Sequence, residues 1–261
     1  MLERGVTQII DEALAKNIFG TAFQFRAGQR EVIEAICNHY LEDPEGTIIL
    51  DAPTGSGKSL IAMWSAHILK ELGNRGYLVT SDLMLQDQYE EDFHKFKLNW
   101  PSVRGVDNYE CNVNGLTFSL GDCKMKGINY EQAENLTCWN TCGYLQARKR
   151  AKELPVALFN YSYYLIQRNY VEDKMIDQGK EIPFPKRDFV FFDEAHKVDN
   201  IVQGHFSPRI DRTTTKIFRE VNRFVQKHGI DAAWVTENRI ASIVDRLMRE
   251  DDHQELMKHI G

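Results

Sequence analysis

The chain has no apolar run long enough to cross a bilayer, so no part of it reads as a membrane segment. Its first residues, Met1-Leu2-Glu3-Arg4, open an amphipathic pattern with acidic residues close behind, which is not the layout of a secretory signal. Internal repeats, low-complexity tracts and sustained heptads are absent, which excludes solenoids and long coiled coils. Positive charge is not in excess: 32 Lys and Arg stand against 38 Asp and Glu, a net charge of -6. A coat of basic surface is thereby excluded, whereas a local basic groove is not. Cysteine is scarce, five in 261 residues, and five thiols in an apparently cytosolic chain suit metal ligands or buried thiols better than a disulfide framework. The remaining composition, 43% hydrophobic and 27% charged, is enough for a sizeable core in one or two domains. The expected compartment is the cytoplasm, or the nucleus in a eukaryote.

Ala52-Pro53-Thr54-Gly55-Ser56-Gly57-Lys58-Ser59 organises everything else. It follows the apolar run Thr47-Ile48-Ile49-Leu50, read as a strand, and precedes a long helical pattern. A strand, a Gly-rich turn and a helix start in this order form a phosphate cradle. Backbone N–H groups converge on phosphate oxygens at the positive end of the helix dipole. Gly55, Ser56, Gly57, Lys58 and Ser59 are the nucleotide-binding candidates, with Lys58 reaching the β/γ-phosphates and the Ser59 hydroxyl ligating Mg²⁺. Ala52 stands where the usual pattern has its first Gly, which a residue with negative φ tolerates. The plain alternative is an ordinary strand–turn–helix.

Around this loop the pattern alternates. Val6 to Ile18 has helical spacing, and Ile33, Ile36, Cys37 and Tyr40 mark one buried face of a second helix, which makes Cys37 a core thiol. Ile61, Trp64, Ile68 and Leu72 follow at core-facing spacing, and Gly73 stands where that helix would stop. Gly76 to Thr80 reads as a buried strand, Ser81 as an N-cap, and Met84, Tyr89 and Phe93 as a further helix. Residues 101–144 lose this periodicity and hold four of the five cysteines, so they read as an insertion. The alternation resumes with Pro155 to Phe159, Asn160 as an N-cap for Tyr161 to Ile166, and the strand Asp188 to Phe192. Strand–helix alternation of this kind implies an α/β fold built on a parallel sheet. The expected domains are 1–100 with 145–205, the insertion 101–144, and a helical segment 206–261 in which no catalytic residue stands out. The acidic run Glu250-Asp251-Asp252 reads as a solvated helix start.

Asp193-Glu194-Ala195-His196 stands at the C-terminal end of the last strand, where α/β folds put ligand contacts. Asp193 can hold the Mg²⁺ shell, Glu194 can orient or deprotonate an attacking water, and His196 can sense the state of the site. Lys58, Asp193 and Glu194 form the catalytic set. Upstream, the amide of Gln29 can accept from the adenine amino group and donate to a ring nitrogen, selecting ATP.

Gln29, the Ala-x-x-Gly-x-Gly-Lys-Ser loop and the Asp-Glu-Ala-His box, in this order, resemble the superfamily 2 helicases. Cys111, Cys123, Cys138 and Cys142 lie between the first two ATPase motifs and are followed by Gly143-Tyr144, a basic run and Asn160-Tyr161-Ser162-Tyr163. Over roughly residues 20 to 205 this looks like the XPD/DinG family of iron–sulfur helicases, with a RecA-like first motor domain and an arch-like helical segment after it. Four thiolates can hold a [4Fe-4S] cluster or a tetrahedral zinc, and their separations of 11, 14 and 3 residues do not decide between them. The resemblance implies the cluster. It also implies ATP and Mg²⁺ as cofactors, single-stranded or forked DNA as partner, and 5′ to 3′ movement. Thr80 and Ser81 match the family segment that bonds the DNA backbone. Arg148, Lys149 and Tyr161 belong to a basic and aromatic cluster suited to single strands.

The family completes its ATP site with a second RecA-like domain, supplied in cis or in trans, that carries an arginine finger. No Gln-x-x-Gly-Arg-x-x-Arg pattern occurs here. The expectation is a chain that binds nucleotide and DNA but hydrolyses ATP slowly and unwinds little. The alternative is a nucleotide- and single-strand-binding module or partner subunit.

Overall fold

The computed structural model describes residues 5–206, apart from 22, 129, 180, 181 and 183. The chain divides into two units, Met1–His205 and Phe206–Gly261. The helical segment expected over 206–261, with its acidic run, lies outside the described residues.

Helix α1 (Val6–Ala15) buries Val6, Ile9, Ile10 and Ala13. Helix α2 (Gln29–Glu42) buries Ile33, Ile36 and Cys37, the face that the periodicity marks out. Helix α3 (Lys58–Glu71) starts directly from the Gly-rich turn and is capped past its end by Gly73 at φ 92°. Strand β1 (Gly76–Thr80) leads to α4 (Leu83–Lys95), whose N-cap is Asp82 rather than Ser81. The Asp82 carboxylate accepts from the N–H of Leu85 at 3.0 Å, two orphan groups meeting as capping requires. Strand β2 is only Ser102–Val103. The cysteine region follows, with the short helices α5 (Asp122–Met125) and α6 (Tyr130–Ala133), then α7 (Gly143–Glu153). Strand β3 (Val156–Asn160) and α8 (Tyr161–Ile166) meet at Asn160, whose side chain caps the N–H of Tyr163 at 2.9 Å. A π-helical turn joins α8 to α9 (Glu172–Asp177), and β4 (Phe189–Phe192) precedes α10 (Val198–Phe206).

The four strands pair in parallel in the order β2-β3-β1-β4. Side chains alternate across the sheet and so feed two cores. Leu78, Val156, Leu158 and Phe189 pack with α1, α2 and α3 around Trp64. Tyr77, Val79, Val103, Ala157 and Phe159 pack on the other face with α7, α8 and the cysteine region.

Two further features differ from the pattern read in the sequence. Ser102–Val103 joins the sheet beside β3, so the first residues of the expected insertion belong to the α/β body. Conversely, Thr47–Leu50 is not a strand: it has no sheet pairing, and Ile49 is 89% exposed. Apolar composition favours a strand only where a neighbour supplies the ladder, and here β4 ends the sheet without it.

Candidate functional site

The phosphate loop and the acidic box come together at the C-terminal ends of β1 and β4. Gly55 and Gly57 stand at φ 81° and 84°, left-handed conformations that glycine adopts without strain. At Gly57 a Cβ would also lie 2.6 Å from Gln29 Nε2, so backbone geometry and space both call for glycine.

Gln29 is buried under the loop. Its Nε2 donates to the Ser56 carbonyl at 2.8 Å, and its Oε1 accepts from the N–H of Arg26 at 2.9 Å. The Arg26 guanidinium in turn donates to the Gly55 carbonyl. Lys58 Nζ donates back to the Ala52 carbonyl at 3.0 Å, which places the ammonium across the mouth of the loop.

Ser59 Oγ donates to Asp193 Oδ2 at 2.9 Å, a contact between residues 134 apart in sequence. Every polar atom of Asp193 is engaged. Oδ2 also accepts from the Tyr89 hydroxyl at 2.9 Å, and Oδ1 accepts from the N–H of Glu194 at 2.9 Å. Its carbonyl accepts from the Tyr161 hydroxyl at 3.2 Å, and its N–H donates to Val79 at 2.8 Å. Burial, reinforced by the Asp193 charge, pushes the Tyr89 phenol well above its usual value, so it stays a donor. Glu194 adopts φ 56°, ψ 43°, a left-handed conformation that costs a side-chain-bearing residue about 1–2 kcal/mol. This turn sends its carboxylate toward His196 Nδ1, 3.3 Å away.

The residues read as nucleic-acid contacts separate into inner and outer ones. Thr80 is fully buried, with Oγ1 lacking a hydrogen-bond partner, because β1 is an interior strand covered along its whole length. Tyr161 is 1% exposed and stacks on Phe192 at 5.7 Å, so its ring serves the core and offers no face to a base. Ser81 is half-buried and receives a hydrogen bond from Lys197 Nζ at 3.2 Å. Arg148 places its guanidinium 5.6 Å from the Tyr144 ring and 5.7 Å from that of Phe184, and Lys149 beside it is half-buried.

Cys111, Cys123, Cys138 and Cys142 all line one cavity of about 110 Å³, with Phe118 and Leu136 among its apolar walls. Cys111, Cys123 and Cys142 are buried, and none of the four forms a disulfide. Burial opposes ionisation at Cys111, but the N–H groups of Val113, Asp122 and Asn114 outweigh it and hold the thiol below its usual value. Among the described residues no three His, Cys, Asp or Glu side chains are gathered as the ligands of one ion would be. Cys37 is a separate core thiol, pushed up to about 12 by burial.

Sequence spacing did not point to Tyr89 or Arg26. Tyr89 looks like any core position of an amphipathic helix, and Arg26 precedes the helix that carries Gln29.

A parallel sheet with a phosphate loop and an acidic box at one end defines an α/β domain of the phosphate-loop type. The chain belongs to the family described as type III restriction enzyme, res subunit, whose match covers residues 22–226. It is also similar to the general transcription and DNA repair factor IIH helicase subunit XPD of Dictyostelium discoideum, with 26% identity over 150 residues. That alignment takes in 54% of this chain, which spans 17% of the relative's length. Both findings agree with the XPD-type resemblance carried by the motifs. No helix among the described residues is long and apolar enough to cross a membrane.

Proposed function

We propose that the chain binds Mg-ATP between the phosphate loop and Asp193-Glu194 and uses it to act on single-stranded or forked DNA. On this reading it is one motor half of a 5′ to 3′ helicase. The observation that carries this reading is the 2.9 Å contact from Ser59 to Asp193, which joins the two motifs into one site.

Each residue then has a task. The N–H groups of Gly55 to Ser59 and the helix dipole of α3 receive the phosphates, and Lys58 exchanges the Ala52 carbonyl for phosphate oxygens. Ser59 and Asp193 hold Mg²⁺ and its shell, and Glu194 orients or deprotonates the attacking water. Gln29 uses one N–H on the loop and one lone pair on the Arg26 N–H, and keeps the second of each for adenine. Of the DNA candidates, Ser81, Arg148 and Lys149 are half-buried and so open to backbone contacts, with Arg148 also packed over the Tyr144 ring.

The cysteine pocket fits a [4Fe-4S] cluster as its structural group, which would tie the wall of the second core together through four thiolates. Four thiolates could also hold a tetrahedral zinc, and it is the XPD-type resemblance that favours the cluster. N–H groups aimed at the Cys111 sulfur suit a thiolate ligand.

DNA-stimulated ATP turnover, measured with and without a second RecA-like domain added in trans, tests the motor reading. Weak turnover alone that rises by orders of magnitude with the partner is expected, since an arginine finger contributes on the order of 10³-fold or more. If the partner leaves turnover unchanged while nucleotide and single strands still bind, the chain is a binding module. Anaerobic protein without stoichiometric iron and sulfide rules out the cluster.

A further inference from the structure

We propose that Tyr89 is a positioning residue for the metal half of the nucleotide site: its hydroxyl sets the orientation of the Asp193 carboxylate and thereby the Mg²⁺ affinity. This rests on the Mg-ATP reading above and adds to it a residue from outside the phosphate loop and the acidic box.

Tyr89 stands in the middle of α4, the helix that leaves the C-terminal end of β1. Because β1 pairs directly with β4, α4 begins beside the point where Asp193 leaves the sheet. The phenol ring is 2% exposed and meets Phe93 at 6.0 Å, packing that a phenylalanine would reproduce. The hydroxyl is the part that packing does not explain. A buried hydroxyl without an acceptor costs free energy, and this one takes a carboxylate oxygen at 2.9 Å, a charge-assisted bond of the stronger kind.

The same oxygen accepts from Ser59 Oγ, and the other carboxylate oxygen accepts from the N–H of Glu194. Two of the three donors belong to the motifs that would themselves receive Mg-ATP: Ser59 stands at the start of α3 and Glu194 in a left-handed turn of the acidic box. Tyr89 is the third, anchored in a helix on the buried side. It holds the carboxylate independently of the two motif residues. A group that orients a metal-binding carboxylate in this way typically contributes 10- to 100-fold in metal affinity.

The test is a Mg²⁺ titration of binding of the β,γ-imido analogue of ATP to the full chain, alongside its affinity in EDTA. For Tyr89→Phe, the half-saturating Mg²⁺ concentration should rise roughly tenfold while the Mg²⁺-free affinity stays within twofold of the parent. Tyr40→Phe removes a phenol hydroxyl bonded to Asn74 elsewhere in the domain and should shift neither quantity. A thermal melt shows whether each variant is folded, and Tyr89→His, which offers an N–H from a smaller ring, should recover part of the Mg²⁺ response. A folded Tyr89→Phe with unchanged Mg²⁺ dependence overturns the proposal, provided that Ser59→Ala and Asp193→Asn both weaken it. If those two variants also leave the Mg²⁺ dependence unchanged, the Mg-ATP reading itself falls, and with it the role of Tyr89.

Discussion

The two faces of the sheet are built in different ways. One face is closed by α1, α2 and α3, whose apolar stripes meet around Trp64, stacked on Phe19 at 4.1 Å and 17°. The other is closed by α7, α8 and a region of short turns around a cysteine-lined cavity, with Phe118, Tyr144, Tyr163 and Phe184 filling the space between. The first face holds itself together by side-chain burial. The second surrounds a small cysteine-lined cavity and anchors its main helix by charge. Arg187, 8% exposed, donates to the carbonyls of Gly76, Pro155 and Ala151 and lies 4.4 Å over the Tyr77 ring. Arg75 adds bonds to Lys152 and Glu153 at the C-terminal end of α7, where a cation also complements the helix dipole.

The largest expected effect tests the self-sufficient face. Trp64→Ala opens a cavity in its centre and should lower unfolding free energy by about 4 kcal/mol, read from denaturant midpoints. A loss below about 1 kcal/mol would show that the Trp64 face is not the main source of stability.

The next effect is a pH dependence. His67, at the edge of the same core beside Phe19 and Trp64, is held at about 4 by burial, with Lys70 adding to the shift. Its folded value is below its ordinary 6.5, so the unfolded chain binds the extra proton between these limits. Stability is therefore complete above pH 6.5 and declines as the pH falls toward 4, by up to about 3 kcal/mol. Chemical unfolding at pH 7.5 and pH 4.5 measures this, and His67→Phe should flatten the slope.

On the opposite face, Arg187→Met should cost about 2 kcal/mol, because the carbonyls of Gly76, Pro155 and Ala151 each lose a charged donor. Hydrogen exchange should speed up in α7 and the cysteine region before it changes in α2 and α3. Uniform acceleration across both faces would contradict a division between them.

The smallest effect concerns the boundary between the two cores. Thr80→Val removes a buried hydroxyl that has no partner and should be neutral or stabilising by up to about 1 kcal/mol. The affinity and salt dependence of single-strand binding should stay as they were, since the hydroxyl is out of reach of a phosphate. A weakened affinity with an unchanged salt slope would restore Thr80 to the DNA contacts as a neutral hydrogen-bonding group.

The contrast between the faces also separates what was legible in the sequence from what was not. The buried stripe of α2, strands β1 and β3, the Gly73 stop and the Asn160 cap follow from periodicity and from the chemistry of single residues, both local properties. The Ser59–Asp193 meeting was legible at one remove, because each motif implies the other. The rest depends on distant neighbours. Thr47–Leu50 has strand composition without a pairing partner, while Ser102–Val103 is too short to show a period and is a strand only because β3 lies alongside it. Ser81 and Asp82 are both good caps, and the turn geometry selects the one whose oxygen reaches Leu85. Thr80 and Tyr161 carry groups that suit DNA, and only the tertiary packing shows that they face inward. The Tyr89–Asp193 bond spans 104 residues and left no local trace.

The unpaired run Thr47–Leu50 has a colloidal consequence. It is a segment of β-prone composition with Ile48, Ile49 and Leu50 open to solvent, in a molecule whose β4 ends the described sheet with an unladdered edge. Donor segment and acceptor edge in one chain favour association between copies as concentration rises. Ile49→Lys, at a site 89% exposed, should raise the concentration at which light scattering sets in without lowering the melting temperature.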